Sequence, residues 1–288
     1  MLSQTSDVVL LGLFAGLTLL VLARRPLGIR PPASVYLPYL WTFFLVFTLA
    51  ELVSFKVGIW VLAVVCFLAL REYFSLVDMR IQDRWAILGA YLAVPFMFYY
   101  VHTDWYGMFI VSIPVYAFLV IPFLVALGGE DAKGTVQSVG LIDLALVLLV
   151  YCIGHIGYLA FYSVWIAVLV VAGVVICDLS ALLLKARDRA PLQSVLMQVL
   201  VPGPVVALLA VVMTPWTGIP WVHGVALGIL IPALVATGCF TIDRLEVDLG
   251  IDRAHLRPGR GETLNSLKSY VYVAPVAFHY LRYFLDAF

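Results

Sequence analysis

The chain has 288 residues, 64% of them apolar and 12% charged, with a mean hydropathy of +1.07 and a formal net charge of +0. Too little polar surface remains to cover a water-soluble core, and scattered arginines at zero net charge give no basic footprint for nucleic acid. The composition predicts an all-α, polytopic integral membrane protein, a single membrane domain over residues 1–288.

A hydrocarbon layer roughly 30 Å thick takes ~20 helical residues to cross. Apolar runs of that kind fall near Val8–Ala23, Val35–Phe55, Val57–Leu70, Trp85–Val101, Met108–Leu127, Leu141–Phe161, Trp165–Leu184, Val195–Thr214, Val222–Phe240 and Leu264–Phe284, which predicts about ten transmembrane helices. The first run is too long for a signal peptide and lacks a timely small-residue cleavage pattern, so it is read as a retained helix. Arg24, Arg25 and Arg30 follow the first run, and Arg71, Arg80 and Arg84 the third. Lys133 follows the fifth, Lys185, Arg187 and Arg189 the seventh, and Arg244, Arg253, Arg257 and Arg260 the ninth. If each run crosses once, all of these share one side, which the positive-inside rule makes cytoplasmic and which leaves both chain ends outside. The opposite connectors, HTDWYG at 102–107 and TPWTGIPWVHG at 214–224, hold tryptophans and no Lys or Arg. A bacterial inner membrane is the expected host, with residues 241–269 as a cytoplasmic loop leading into the last helix.

Cys66, Cys152, Cys177 and Cys239 sit in apolar runs without metal-ligand spacing and read as small core residues. Polar residues inside spans are costly and need partners. Glu51 is placed to pair with Lys56 or reach the interface, and His155 reads as a neutral imidazole hydrogen-bonded to a neighbouring helix. His102 and His223 fall in outer connectors and His279 in the last span, none with a partner at ligand spacing. Asp178, within VVICDLSALLLKAR, either pairs with a cation from another span or faces a substrate or ion.

The C-terminal fifty residues carry a composed pattern. Gly238 ends an apolar run, Asp248–Ile251 reads Asp-Leu-Gly-Ile, Pro258–Gly261 forms a Pro-Gly-x-Gly turn, and Leu264, Ser269 and Ala274–Val276 lead into the last helix. This skeleton resembles the C-terminal signature of the CDP-diacylglycerol synthase (phosphatidate cytidylyltransferase) family. Arg71–Phe74 (REYF) resembles an earlier Glu-containing segment of that family, and Asp178–Ala181 stands where it has Asp-Thr-x-Ala-Tyr. The resemblance implies transfer of CMP from CTP to phosphatidate, giving CDP-diacylglycerol in phospholipid biosynthesis, with Mg2+ held by acidic side chains of the signature and a possible homodimer.

The chain departs from that pattern at the acids. Cys239 replaces the family's Asp after the glycine, and Asn265 to Lys268 replace its Asp-Arg-x-Asp. The turn carries Arg260 and Glu262 where the family has Pro-Gly-His-Gly-Gly. Of the block Ser-Pro-x-Lys-Thr-x-Glu-Gly only Ser194 survives, with Met197 and Leu200 where the Lys and Glu belong. Two readings stay open. In one, the chain is a divergent cytidylyltransferase with Asp178, Lys268 and Asn265 as catalytic candidates and Asp178 and Glu262 holding a displaced metal. Lys185, Arg187, Arg257 and Arg260, with Gly259 and Gly261 shaping the turn, would meet the phosphates, and the amides of the helix beyond the turn would favour an anion. Asp243, Glu246 and Asp248 either rebuild a metal site or form a solvated face with Arg244 and Arg253. In the other reading the relative is catalytically degenerate, binding a lipid phosphate or assisting a partner enzyme. A small-solute transporter would show paired broken helices or intramembrane charges in both halves, which are not evident.

Overall fold

Long apolar runs without a water-facing stripe can satisfy their backbone only as helices, and helices are what form. The computed structural model describes residues 2–24, 26–28, 33–128, 132–184, 191–251 and 260–285; side chains of 2–6, 33–36 and 191–194 are not among those described. Among these residues there is no strand. The helices are α1 Leu2–Ala23, α2 Ala33–Leu52, α3 Phe55–Leu76, α4 Arg84–His102, α5 Tyr106–Leu127, α6 Thr135–Tyr162 and α7 Val164–Leu183, then α8 Pro191–Leu200, α9 Pro202–Val212, α10 Trp221–Asp248, α11 Glu262–Leu267 and α12 Val273–Phe284. Among the described residues, seven helical stretches are long and apolar enough to cross a membrane: Phe55–Leu76, Ile81–His102, Tyr106–Leu127, Thr135–Tyr162, Val164–Leu183, Val195–Val212 and Trp221–Asp248. In the first two helices, the stretches Asp7–Ala23 and Leu37–Leu52, whose side chains are described, are apolar as well.

Local chemistry sets the boundaries. Ser54 caps α3 by accepting the Lys56 amide at 3.3 Å. Pro191 and Pro202 each open a helix, where a missing N–H costs nothing, so the run read as one span is interrupted by a turn at Val201 between α8 and α9. Within α5, Pro114 and Pro122 withhold two amides, and the ladder slackens into a π turn over Ser112–Ala117. It packs against a second π turn in α6, Leu146–Tyr151; that one has no proline, and nothing in its sequence accounts for it.

α7 is the axis. Val164–Val171 is buried on every side, and the helix touches α2, α6, α9, α10 and α12. α9 and α10 approach most closely, because a Cβ on Gly228 would collide with Ala207. Away from the axis, Asp83 is fully buried between α4 and α6. Arg80 donates to both its carboxylate oxygens at 2.8 and 3.0 Å, and the Ser138 hydroxyl donates to one of them at 2.5 Å. Arg80 also holds the Lys133 carbonyl at 2.7 Å, closing the connector before α6.

The C-terminal region differs from expectation. Residues 241–248 continue α10, and the run Leu264–Phe284 is not one helix. α11 stops at Leu267, a 3-10 turn covers Lys268–Tyr270, and α12 starts afresh at Val273. Pro275 can give no amide to the preceding turn, and the polar pair Lys268 and Ser269 is turned inward at the break.

Candidate functional site

The broken helix brings the signature positions together. α7 supplies Asp178, α10 supplies Cys239 and Asp243, and the 3-10 turn inserts Lys268 and Ser269 between them. The Ser269 hydroxyl donates to Asp178 Oδ1 at 2.7 Å. Having spent its hydrogen there, it presents lone pairs to the Cys239 thiol, whose Sγ lies 3.3 Å away. The Lys268 ammonium donates to Asp243 Oδ1 at 2.6 Å. Its side chain is 3% exposed against 42% for Asp243, so the lysine is buried and its partner carboxylate faces outward. One helical turn earlier, Asn265 Oδ1 is buried and accepts from no described residue. An apolar cavity of about 20 Å³, room for one small group, runs along the Lys268 stem between Tyr73, Leu148, Leu245, Glu246 and Leu264.

A second set of contacts holds the turn. Gly261 takes φ +79°, a left-handed conformation suited to glycine, and α11 follows directly. The α11 amide that an anion would use is already taken: Leu264 N donates to Glu72 Oε2 at 3.2 Å. Arg260 donates to the Ser75 carbonyl, and the Tyr39 and Thr263 hydroxyls meet at 3.1 Å. The REYF segment and the signature turn, read separately from the sequence, therefore clamp each other.

Asp178, Asn265, Lys268, Arg260, Gly261 and Glu262 are in the described region, whereas Lys185, Arg187, Arg257 and Gly259 lie outside the described residues. Asp178 and Lys268 reach one cluster. Arg260 turns to the end of α3, and Glu262 lies within electrostatic reach of Tyr39. No three His, Cys, Asp or Glu side chains among the described residues group as a metal ion requires. The donor set explains this: Asp178 has a serine hydroxyl and, beyond it, a thiol for neighbours, the nearby Asp243 is already paired with the Lys268 ammonium, and a buried ammonium repels a dication. These residues do not make a protein-held magnesium cage, and no chemical step is derived through one.

The sequence reading missed several partners. Ser269 was visible as a motif residue but not as the group that binds Asp178; Asp243 was visible as an acid but not as the counter-ion of Lys268. His155 bonds within its own helix, Nδ1 to the Tyr151 carbonyl at 2.8 Å, and its Nε2 bonds to no neighbouring helix among the described residues. Glu51 is exposed, and among the described residues it forms no ion pair with Lys56. Asp143, passed over in the sequence, is buried in α6 with Oδ2 bonded to no described residue. A single acid inside the otherwise apolar run 141–150 was the available signal.

Fold and cluster together define an all-helical protein with, among the described residues, seven helices apt for a membrane and a buried polar centre where α7, α10 and the C-terminal break meet. An uncharacterised protein of Escherichia coli K12, YnbB, is 22% identical over 240 residues, 77% of this chain and 78% of that protein. No family model matches the chain, and no solved structure does.

Proposed function

We propose that the chain is a phosphatidate cytidylyltransferase-like protein of the bilayer, its polar centre toward the cytoplasm. In the reaction, a phosphate oxygen of phosphatidate attacks the α-phosphorus of CTP, the bond to the β-phosphate oxygen breaks, and pyrophosphate leaves. What supports this reading is the convergence of Asp178, Cys239 and the 265–269 segment, positions singled out by the resemblance and drawn from three separate parts of the chain. Two anions must be brought together, so positioning and cationic compensation are the main demands. Lys268 supplies positive charge at the cluster, tethered through Asp243, while Ser269 fixes the Asp178 carboxylate. Magnesium belongs with the nucleotide in this reading.

A second reading, a non-catalytic relative that binds a lipid phosphate, is favoured by one observation. Where the resemblance expects metal-binding carboxylates stand the Cys239 thiol, the Asn265 amide and the Lys268 ammonium, a change that removes ligands for a metal and leaves a cation for a phosphate. The deciding measurement is conversion of radiolabelled CTP by purified protein in phosphatidate-containing vesicles with magnesium. The first reading expects CDP-diacylglycerol to form and Lys268→Ala to slow it at least tenfold. Phosphatidate binding with no turnover in wild type gives the second, and neither binding nor turnover removes both.

A further inference from the structure

At the end of the bundle away from the signature turn, a second polar cluster has no place in the proposed reaction. α12 carries His279 and Arg282, three residues apart and so on one face. Both meet Tyr106, the first residue of α5. The Arg282 guanidinium carbon lies 3.5 Å from the centre of the Tyr106 ring, and the Tyr106 hydroxyl is 3.5 Å from His279 Nδ1. Behind them His155 is fully buried, its ring 5.3 Å from that of His279. That this is the far end follows from His223, at the start of α10, whose Nδ1 is 2.9 Å from the Tyr280 hydroxyl.

Two atoms of the cluster await partners. Arg282 Nη1 is buried and bonds to no described residue, and His155 Nε2 is likewise unmatched. Among the described residues no carboxylate forms an ion pair with Arg282, although Asp104 stands in the same connector as Tyr106. An arginine held flat on an aromatic ring keeps its fork in a fixed plane, the geometry that suits a phosphate. At a membrane surface the abundant phosphate is that of lipid headgroups.

We propose that Arg282 and His279, oriented by Tyr106, form a site for a phosphate oxyanion, filled by the headgroup of an anionic phospholipid in the leaflet opposite the signature turn. It rests on the membrane reading and not on the cytidylyl-transfer reaction. The site takes a phosphodiester, and its acyl chains lie along the exposed aromatic edge of α12, where Tyr283 and Phe284 are exposed.

The test is thermal unfolding of the full chain in nanodiscs of phosphatidylcholine alone, of phosphatidylcholine with phosphatidylglycerol, and of phosphatidylcholine with inorganic phosphate. Phosphatidylglycerol should raise the wild-type melting temperature by about 3 °C or more. The rise should vanish in Arg282→Gln, shrink in Arg282→Lys, and persist in Lys268→Ala, which separates this site from the signature cluster. An equal rise with inorganic phosphate, a rise unchanged in Arg282→Gln, or one lost only in Lys268→Ala overturns the assignment. If Arg282→Gln does not fold, native mass spectrometry of wild type and Arg282→Lys replaces it: one retained phosphatidylglycerol in wild type, weakened in the variant, supports the site, and equal retention refutes it.

Discussion

Asp178 and Asp83 solve the same problem in different ways. A carboxylate inside an apolar bundle must be hydrogen-bonded or neutralised by a partner. Asp83 receives a bidentate arginine and a serine, an arrangement suited to permanence. Replacing Arg80 by Leu strands the buried carboxylate and should lower stability by about 3 kcal/mol, the low end for a broken buried pair because Arg80 is itself partly exposed. Denaturant unfolding in mixed micelles measures it; a loss below the error of the titration contradicts the structural role. Asp178 is instead held by a serine hydroxyl that also touches a thiol. Ser269→Ala should cost about 1.5–3 kcal/mol by the same titration, as for a hydrogen bond to a charged group, and the proposed cytidylyl-transfer reading adds a loss of any CMP transfer along with it. Unchanged stability would detach Ser269 from Asp178.

At the scale of helices, the closest packing sits where side chains are smallest. Gly228 faces Ala207 across α9 and α10, so Gly228→Leu must part the two helices and should destabilise by about 1–3 kcal/mol or more. Gly140 is on the exposed side of α6, and a methyl group added there would have nothing within 4 Å, so Gly140→Ala should bring no loss and a slight gain in helix propensity. Equal responses of the two variants would refute the packing account. Which elements could be foreseen follows from the same physics. Runs such as 57–70, 165–184 and 222–240 are apolar over most of their length, and their helices form where the hydropathy puts them. The run 264–284 also reads as one span, yet its break depends on Lys268 finding Asp243 and Ser269 finding Asp178, partners 25 and 91 residues away that no local pattern announces. The signature segment could be located from its glycines and prolines. Its closure by Glu72, 192 residues distant from Leu264, could not.

For the molecule as a whole, alternate crossings put the Trp105 connector and the end of α10 on opposite faces. In a cysteine-free background, Trp105→Cys and Asp248→Cys should react with an impermeant maleimide from opposite sides of sealed vesicles; labelling from one side would overturn the crossing order. Among the described residues, α12 is not one of the helices long and apolar enough to cross a membrane. With 12 residues it is roughly 18 Å long, against about 30 Å of hydrocarbon. It cannot cross that layer alone: the turn that carries Lys268 and Ser269 precedes it, and α11 precedes the turn. Two short helices standing in for one long one need a joint fastened from the side, and the Lys268–Asp243 and Ser269–Asp178 contacts are that fastening.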